Sequence, residues 1–267
     1  FAASGVADHP YSRWYPPNVE TDPDPTNGVS TAGYASLAVI ANLSRALDRV
    51  QRVYGSRTRF PLWDTEFGFI TSPPKRSPDP GTHGKVLYVS PSVAAAYDNW
   101  AEYISWRNPR LRSFAQYPLY DPVRAARSND WGGFASGLLT FAGIPKAVYA
   151  AWRLPLFLPV TSARRGRSVE VWGCVRPAQY AAVGAGPSAG AAALPAAEIQ
   201  FAPGTSGAFT TIQTVTLGDL TNCYFDVRVK FPGSGTVRLS YDDPPLDPTL
   251  TAGSGQIDSR PVQISLN

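Results

Sequence analysis

The chain has 267 residues, 43% of them hydrophobic, which is ample for a globular core in one large domain or two ordinary ones. Lysine and arginine exceed aspartate and glutamate by 24 to 20, and the excess lies entirely in residues 1–155, with 16 against 12, while residues 156–267 hold 8 against 8; that balance excludes a nucleic-acid footprint. No run approaches the ~18 apolar residues of a membrane span, and the start, Phe1-Ala2-Ala3-Ser4-Gly5, has neither a charged nor an apolar leader region. Methionine is absent, so we expect a segment upstream of Phe1.

Gly5 to Tyr11 is a brief apolar segment ending in polar and aromatic side chains, followed by a loop rich in Pro, Asn, Asp and Gly through Gly28. It reads as a strand whose mouth opens into a long loop. Alternation puts His9 and Tyr11 on one side, where they can bond a ligand or a neighbouring carboxylate. The plainer alternative is a histidine satisfied by its neighbours, with Trp14 and Tyr15 packing the loop. Next, Ile40, Leu43, Leu47, Val50 and Tyr54 recur at three- and four-residue steps, an amphipathic helix from about Ala35 that stops at Gly55.

Arg59 to Thr71 is the stretch around which the rest is organised. Phe60, Leu62, Trp63 and Phe67 give the density of a strand covered on both faces, and Gly68 lets the backbone turn just after Glu66. The carboxylate at the strand's end is either a reactive group or a cap or ion-pair partner. Alternation sends Asp64 inward beneath Glu66, where it either tunes its neighbour or is hydrogen-bonded within the layer or faces an arginine. Ser72 to Gly84 is a proline-rich loop at the same rim. Ser90-Pro91 starts a second helix with Val93, Tyr97, Trp100 and Ile104 on one face, ending at Asn108-Pro109. A third strand, Leu111 to Tyr117, opens into Tyr120, Asp121 and a loop carrying Asp130-Trp131-Gly132-Gly133, and Pro145 opens a last helix that Pro155 ends.

Three strand–helix units in succession predict a parallel sheet with helices outside it, and all three strands end in polar or aromatic residues at one rim. "HPY", "WDTEFG", "QYPLYD" and "GIPKAVYAAWR" in this order resemble strands six, seven and eight and the last helix of the (β/α)8 barrel of clan A glycoside hydrolases, close in flavour to family 5 cellulases and family 39 glycosidases. The resemblance covers about residues 1–155. It implies that Glu66 is the nucleophile of a retaining enzyme, that His9 or Tyr11 contacts it, and that Tyr117, Asp121, Trp14 and Trp131 are candidates for substrate binding. A whole barrel needs about 250 residues, so five βα units are missing. No Asn-Glu motif supplies the family's acid/base either: Glu20, Glu102, Glu170 and Glu198 are not preceded by asparagine. We therefore expect residues 1–155 to need strands from a missing N-terminal barrel half, in the same precursor or a separate chain.

After Pro155 the period changes from 3.6 to 2. Strands are predicted at 168–175, around Ile199 and Phe201, at 209–217, at 222–231, at 237–241 and at 261–266, with Pro232-Gly233-Ser234-Gly235 as a hairpin turn. Residues 156–267 thus read as an immunoglobulin-like β-sandwich, interrupted by an Ala/Gly/Pro-rich surface loop from Ala178 to Ala197. It serves either as a carbohydrate- or surface-binding module or as a rigid appendage. The two cysteines, Cys174 and Cys223, lie in this part; with no CxxC spacing and only His9 and His83 as histidines, a disulfide is the better reading than a metal site. Such a bridge contributes roughly 3–4 kcal/mol and implies an oxidising, extracellular setting.

The fold expectation is therefore α/β plus all-β, an incomplete TIM barrel followed by a sandwich. The functional expectation is a secreted retaining glycosidase acting on a polysaccharide or glycoside without cofactor or metal. The alternative is a non-catalytic extracellular binding or structural protein built on a barrel remnant.

Overall fold

The computed structural model describes residues 3–12, 14–19, 35–71, 89–122, 135–178, 196–217, 222–243 and 255–267. Trp131, His83, the Ser72–Gly84 loop and most of the Ala178–Ala197 loop lie outside the described residues. The structure is mixed, with few helices and many short strands. It divides into two compact units, Phe1–Tyr149 and Ala150–Asn267, so the division falls before Pro155, inside the last helix.

In the first unit, β1 (Val6–Asp8) runs parallel to β2 (Leu62–Asp64), with Val6 opposite Leu62 and Asp8 opposite Asp64. Beyond β2 the segment 111–116 continues the parallel arrangement through bridges Leu62–Leu111 and Phe67–Gln116. It is not the continuous strand predicted. Ladder bonds at Leu62 and Phe67 flank a place where the Ser113 hydroxyl donates to the Asp64 carbonyl at 2.7 Å, and a side chain there replaces a backbone donor. Leu62, Phe67, Phe69 and Leu111 form the core of this unit, with Val6 and Phe114 packed against it.

The helix α1 (Ile40–Val53) follows a 3-10 turn at Leu37–Val39, and its Ile40, Leu43 and Leu47 face that core. Val50 and Tyr54, expected on the same stripe, are exposed at 52% and 83%, so the apolar face ends a turn early. Gly55, at φ 72°, takes the left-handed conformation that closes the helix while the Ser56 amide reaches back to the Gln51 carbonyl. α2 (Pro91–Arg107) is capped by Ser90, whose hydroxyl accepts from the Val93 amide at 3.3 Å. Its deepest face is Ala94, Asp98, Ala101, Glu102 and Ser105, while Val93, Tyr97 and Ile104 flank it. Arg110 ties these pieces together, donating to Asp48 of α1 at 3.1 Å and to the Phe60 carbonyl at 2.9 Å. α3 (Ala147–Arg153) is shorter than expected and ends before Pro155.

The second unit holds β3 (Leu156–Phe157), β4 (Ser162–Ala163), β5 (Val169–Cys174), β6 (Ala196–Pro203), β7 (Thr210–Thr216), β8 (Tyr224–Val229), β9 (Gly235–Asp243), β10 (Gly255–Asp258) and β11 (Val262–Leu266). One sheet runs β3-β5-β8; the other runs β4-β11-β9-β6-β7, with β10 also beside β9. Every pairing is antiparallel except β4 with β11. The two sheets share a core in which Val169, Val171 and Phe225 of one meet Ile199, Val237, Leu239 and Ile264 of the other. Period-2 burial fits the strand assignment, for instance along β11, where Val262, Ile264 and Leu266 are buried and Gln263 and Ser265 are exposed.

One expectation needs correction. Pro232–Gly235 is a turn, but it does not join a hairpin: β8 pairs with β5, whereas β9 pairs with β6, β10 and β11, so the chain changes sheets there. Turn chemistry specifies a reversal, not the partner that the next strand takes. Cys174 and Cys223 are bridged, as the sequence predicts, with Cα atoms 4.8 Å apart. Because Cys174 lies opposite Tyr224 in the β5–β8 ladder, the bridge fastens neighbouring strands of one sheet, beside the buried Trp172 stacked on Tyr224.

Candidate active site

The parallel register brings two strand ends together. Asp8 ends β1 and Asp64 ends β2, and each chain continues past its strand into the residues singled out above. The Tyr11 hydroxyl donates to Glu66 Oε2 at 3.0 Å, and His9 Nδ1 lies 3.2 Å from the same oxygen. Among the described residues no hydrogen bond is made to Glu66 Oε1. The Glu66 side chain is 29% exposed and that of His9 is 50% exposed, so the carboxylate sits at an open rim.

Tyr11 is held for this contact by its ring, which stacks on Phe67 at 6.2 Å with the planes 10° apart. Phe67 is itself fully buried against Phe69 and Phe114. Burial first, then the hydrogen bond to Glu66, pushes the Tyr11 phenol above its ordinary range, which keeps it a donor at any working pH. Gly68 contributes through space: a Cβ there would lie 2.9 Å from the Tyr117 carbonyl, so only glycine lets the third segment close against the residue after Phe67.

Beneath Glu66 is Asp64, with no exposed surface and neither oxygen in full hydrogen-bond geometry with any described residue. Burial pushes its carboxyl up to about 8; the Glu66 backbone amide opposes the rise in part, and the Asp8 carboxylate opposite adds to it. Asp8 is also raised, again chiefly by burial, with the His9 backbone and ring opposing. The expectation that Asp64 faces an arginine or is hydrogen-bonded within its layer is not met: its neighbour across the ladder is a second acid.

The other sequence-predicted residues are placed differently. Asp121 is buried in an ion pair with Lys146, 2.9 Å from Nζ, and also accepts from the Gly137 amide at 2.8 Å. Burial lowers the Lys146 pKa, and Asp121 opposes that shift. This is the geometry of a structural pair inside the fold. Trp14 packs against the unit's core and lies 5.3 Å from the Tyr15 ring. Tyr117 is 41% exposed near Tyr11, so it remains at the rim. Trp63, counted above in a strand covered on both faces, is 43% exposed.

Sequence reasoning passed over Asp8 and Lys146. The signal for the first was present, since Val6-Ala7-Asp8 and Leu62-Trp63-Asp64 both carry an aspartate at the third strand position. Lys146 stands next to the apolar start of a helix, where a lone cation calls for a buried acid. Among the described residues no group of three or more His, Cys, Asp or Glu side chains is arranged to hold a metal ion. No described helix is long and apolar enough to cross a membrane.

No family model and no curated protein matches the chain. Among solved structures, Bacteroides uniformis β-glucuronidase 2 covalently bound to cyclophellitol-6-carboxylate aziridine aligns with 99% of this chain and 26% of its own, at 13% identity and TM-score 0.35. Parabacteroides merdae β-glucuronidase aligns with 88% of this chain and 27% of its own, at 9% identity and TM-score 0.32. The chain spans about a quarter of the length of these structures, and at such TM-scores the likeness carries no argument.

Proposed function

We propose that this chain is the C-terminal part of a secreted retaining glycoside hydrolase, with Glu66 as the nucleophile and the acid/base on a segment outside these residues. One observation carries the reading: Tyr11 and His9 converge on Glu66 Oε2 at a partly exposed rim and leave Oε1 for a substrate. The Tyr11 donor on one oxygen fixes the rotamer of the carboxylate, as nucleophilic catalysis requires.

In this scheme Oε1 forms a bond to the anomeric carbon as the glycosidic C–O bond breaks. The departing oxygen takes a proton from the acid/base. Water, deprotonated by the same group, then cleaves the glycosyl-enzyme. Retention requires that second carboxyl about 5–5.5 Å from Glu66. Residues 1–155 supply the last three βα units of a barrel, completed by strands from the missing half. His9, Tyr11 and Tyr117 line the substrate side, and residues 156–267 form an immunoglobulin-like sandwich. The Cys174–Cys223 bridge supports an oxidising, extracellular setting.

The test is Glu66→Gln in the complete enzyme, which keeps the shape and removes the nucleophile. Glycosidase activity falls by several orders of magnitude while the fold and sugar binding persist, and an activated fluoroglycoside labels only the unsubstituted protein, on the peptide containing Glu66. Full activity in the variant ends the assignment and leaves the non-catalytic binding protein.

A further inference from the structure

The arginines of the second unit are spread unevenly in their use. Residues 156–267 carry 8 basic and 8 acidic side chains. Arg176 lies over the Trp152 ring and donates to its carbonyl, Arg238 pairs with Asp258 at 2.6 Å, and Arg260 donates to the Leu156 carbonyl at 3.1 Å. Arg164, Arg165 and Arg167, by contrast, stand within four residues and have no side-chain hydrogen bond or ion pair among the described residues.

Their turn is well held. The Arg167 amide donates to the Arg164 carbonyl at 3.1 Å, and the Arg165 amide donates to the Asn267 carbonyl at 2.9 Å, which fastens the turn to the end of β11. Beside it is a groove of about 730 Å³ whose lining includes Pro159, Val160, Arg164, Arg167, Glu170 and Arg228. Arg228 is 67% exposed at its side chain and 3.5 Å from Glu170, its partner across the β5–β8 ladder. Three guanidiniums against one carboxylate leave this groove positive within a stretch, residues 156–267, of balanced charge.

We propose that this groove binds an acidic oligosaccharide, with carboxylate or sulfate groups on Arg164, Arg167 and Arg228 and a sugar face against Pro159 and Val160. Planar guanidiniums suit bidentate contact with such groups, and the volume lies in the range of small-molecule sites. Nucleic acid fits less well, because among the described residues no aromatic ring lines the groove to stack a base and residues 156–267 carry no net basic charge. The choice of a saccharide as the carrier of the anion rests on the glycosidase reading; the preference for an anion does not.

The experiment is calorimetric titration of the full chain with an oligogalacturonate, a sulfated oligosaccharide and a neutral oligosaccharide of equal length, alongside an acidic peptide and a single-stranded oligonucleotide. At least one acidic oligosaccharide binds ten-fold or more tightly than the neutral one, and its binding weakens with salt. Arg164→Ala/Arg167→Ala, at exposed positions with no side-chain partner to lose, abolishes that preference without changing the thermal midpoint, and Arg228→Gln reduces it. The two acidic probes tell carboxylate from sulfate recognition. Equal binding of acidic and neutral sugars, or an unchanged preference in the double variant, overturns the proposal; tighter binding of the peptide or oligonucleotide overturns the saccharide. Failure here with an inactive Glu66→Gln enzyme removes the groove alone, whereas success with a fully active Glu66→Gln enzyme removes the glycosidase reading alone.

Discussion

Replacing Asp64 with asparagine tests the electrostatics beneath the proposed nucleophile. Asp64 has no exposed surface, faces Asp8 across the ladder and titrates near 8 instead of near 4. Below about pH 4 the acid is protonated in both folded and unfolded chains, and the folded state bears no penalty. As pH rises, the unfolded chain releases this proton first while the folded chain retains it, so stability is lost progressively until the pH passes about 8. At 1.36 kcal/mol per pKa unit, the displacement corresponds to about 5 kcal/mol across that window as an upper limit, and relaxation around the site reduces it to roughly 2–5 kcal/mol.

The Leu62 amide, bonded to the Arg110 carbonyl at 2.8 Å in the same strand, reports the opening of this unit directly by hydrogen exchange. Its opening free energy falls between pH 5 and pH 8 in the unsubstituted protein. In Asp64→Asn that fall shrinks by the stated amount, so the variant is the more stable of the two at pH 8. Carboxyl-carbon NMR, assigned by the same substitution, places the Asp64 titration well above the ordinary aspartate range. An Asp64 carboxyl that titrates near 4, or equal pH slopes in the two proteins, refutes the reasoning.

Three further outcomes follow from the geometry. Tyr11→Phe removes the donor 3.0 Å from Glu66; a hydrogen bond to a charged group is worth about 1.5–3 kcal/mol, so under the glycosidase reading kcat/KM of the complete enzyme falls about 10- to 100-fold, chiefly through kcat. A rise in KM alone, with kcat unchanged, contradicts the role. Lys146→Met leaves the Asp121 carboxylate buried and unpaired, destabilising the first unit by about 3–5 kcal/mol in urea denaturation, and adding Asp121→Asn recovers part of the loss. Replacing both Cys174 and Cys223 with alanine opens a loop of 49 residues; the second unit loses about 4 kcal/mol, read as a lower calorimetric midpoint, and an unchanged midpoint is the contrary result.

Much of the fold was legible because its signals are local. The capping serine and proline of α2, the closing Gly55 of α1 and the alternation in β11 all depend on neighbours in sequence. Partnership between strands is another matter. Pro232–Gly235 turns the chain as its composition requires, yet β9 joins β6, β10 and β11 because the apolar side chains of Val237 and Leu239 complete the face opposite β5 and β8. Two-residue strands such as β3 and β4 are too short for any periodic pattern. Val50 and Tyr54 keep the helical spacing of a buried stripe but stand beyond the core they were expected to cover.

At the rim the same contrast decides what could be read. His9 and Tyr11 were paired by alternation alone, and the parallel alignment of β1 with β2 then carries both to Glu66. Asp121 and Tyr117 looked alike in sequence, polar or aromatic residues closing one strand, and only the third dimension separates them: the Lys146 ammonium reaches one and solvent the other. The same alignment that delivers Tyr11 also sets Asp8 beside Asp64, since residues opposed in a parallel ladder point to the same face. A shift of β1 by one residue would relieve that acid pair, but it would turn Val6 away from the core it packs against. The buried Asp64 and the half-buried Asp8 are therefore opposed as a consequence of the register that brings Tyr11 to Glu66, and burial raises the pKa of both beside the carboxylate proposed as nucleophile.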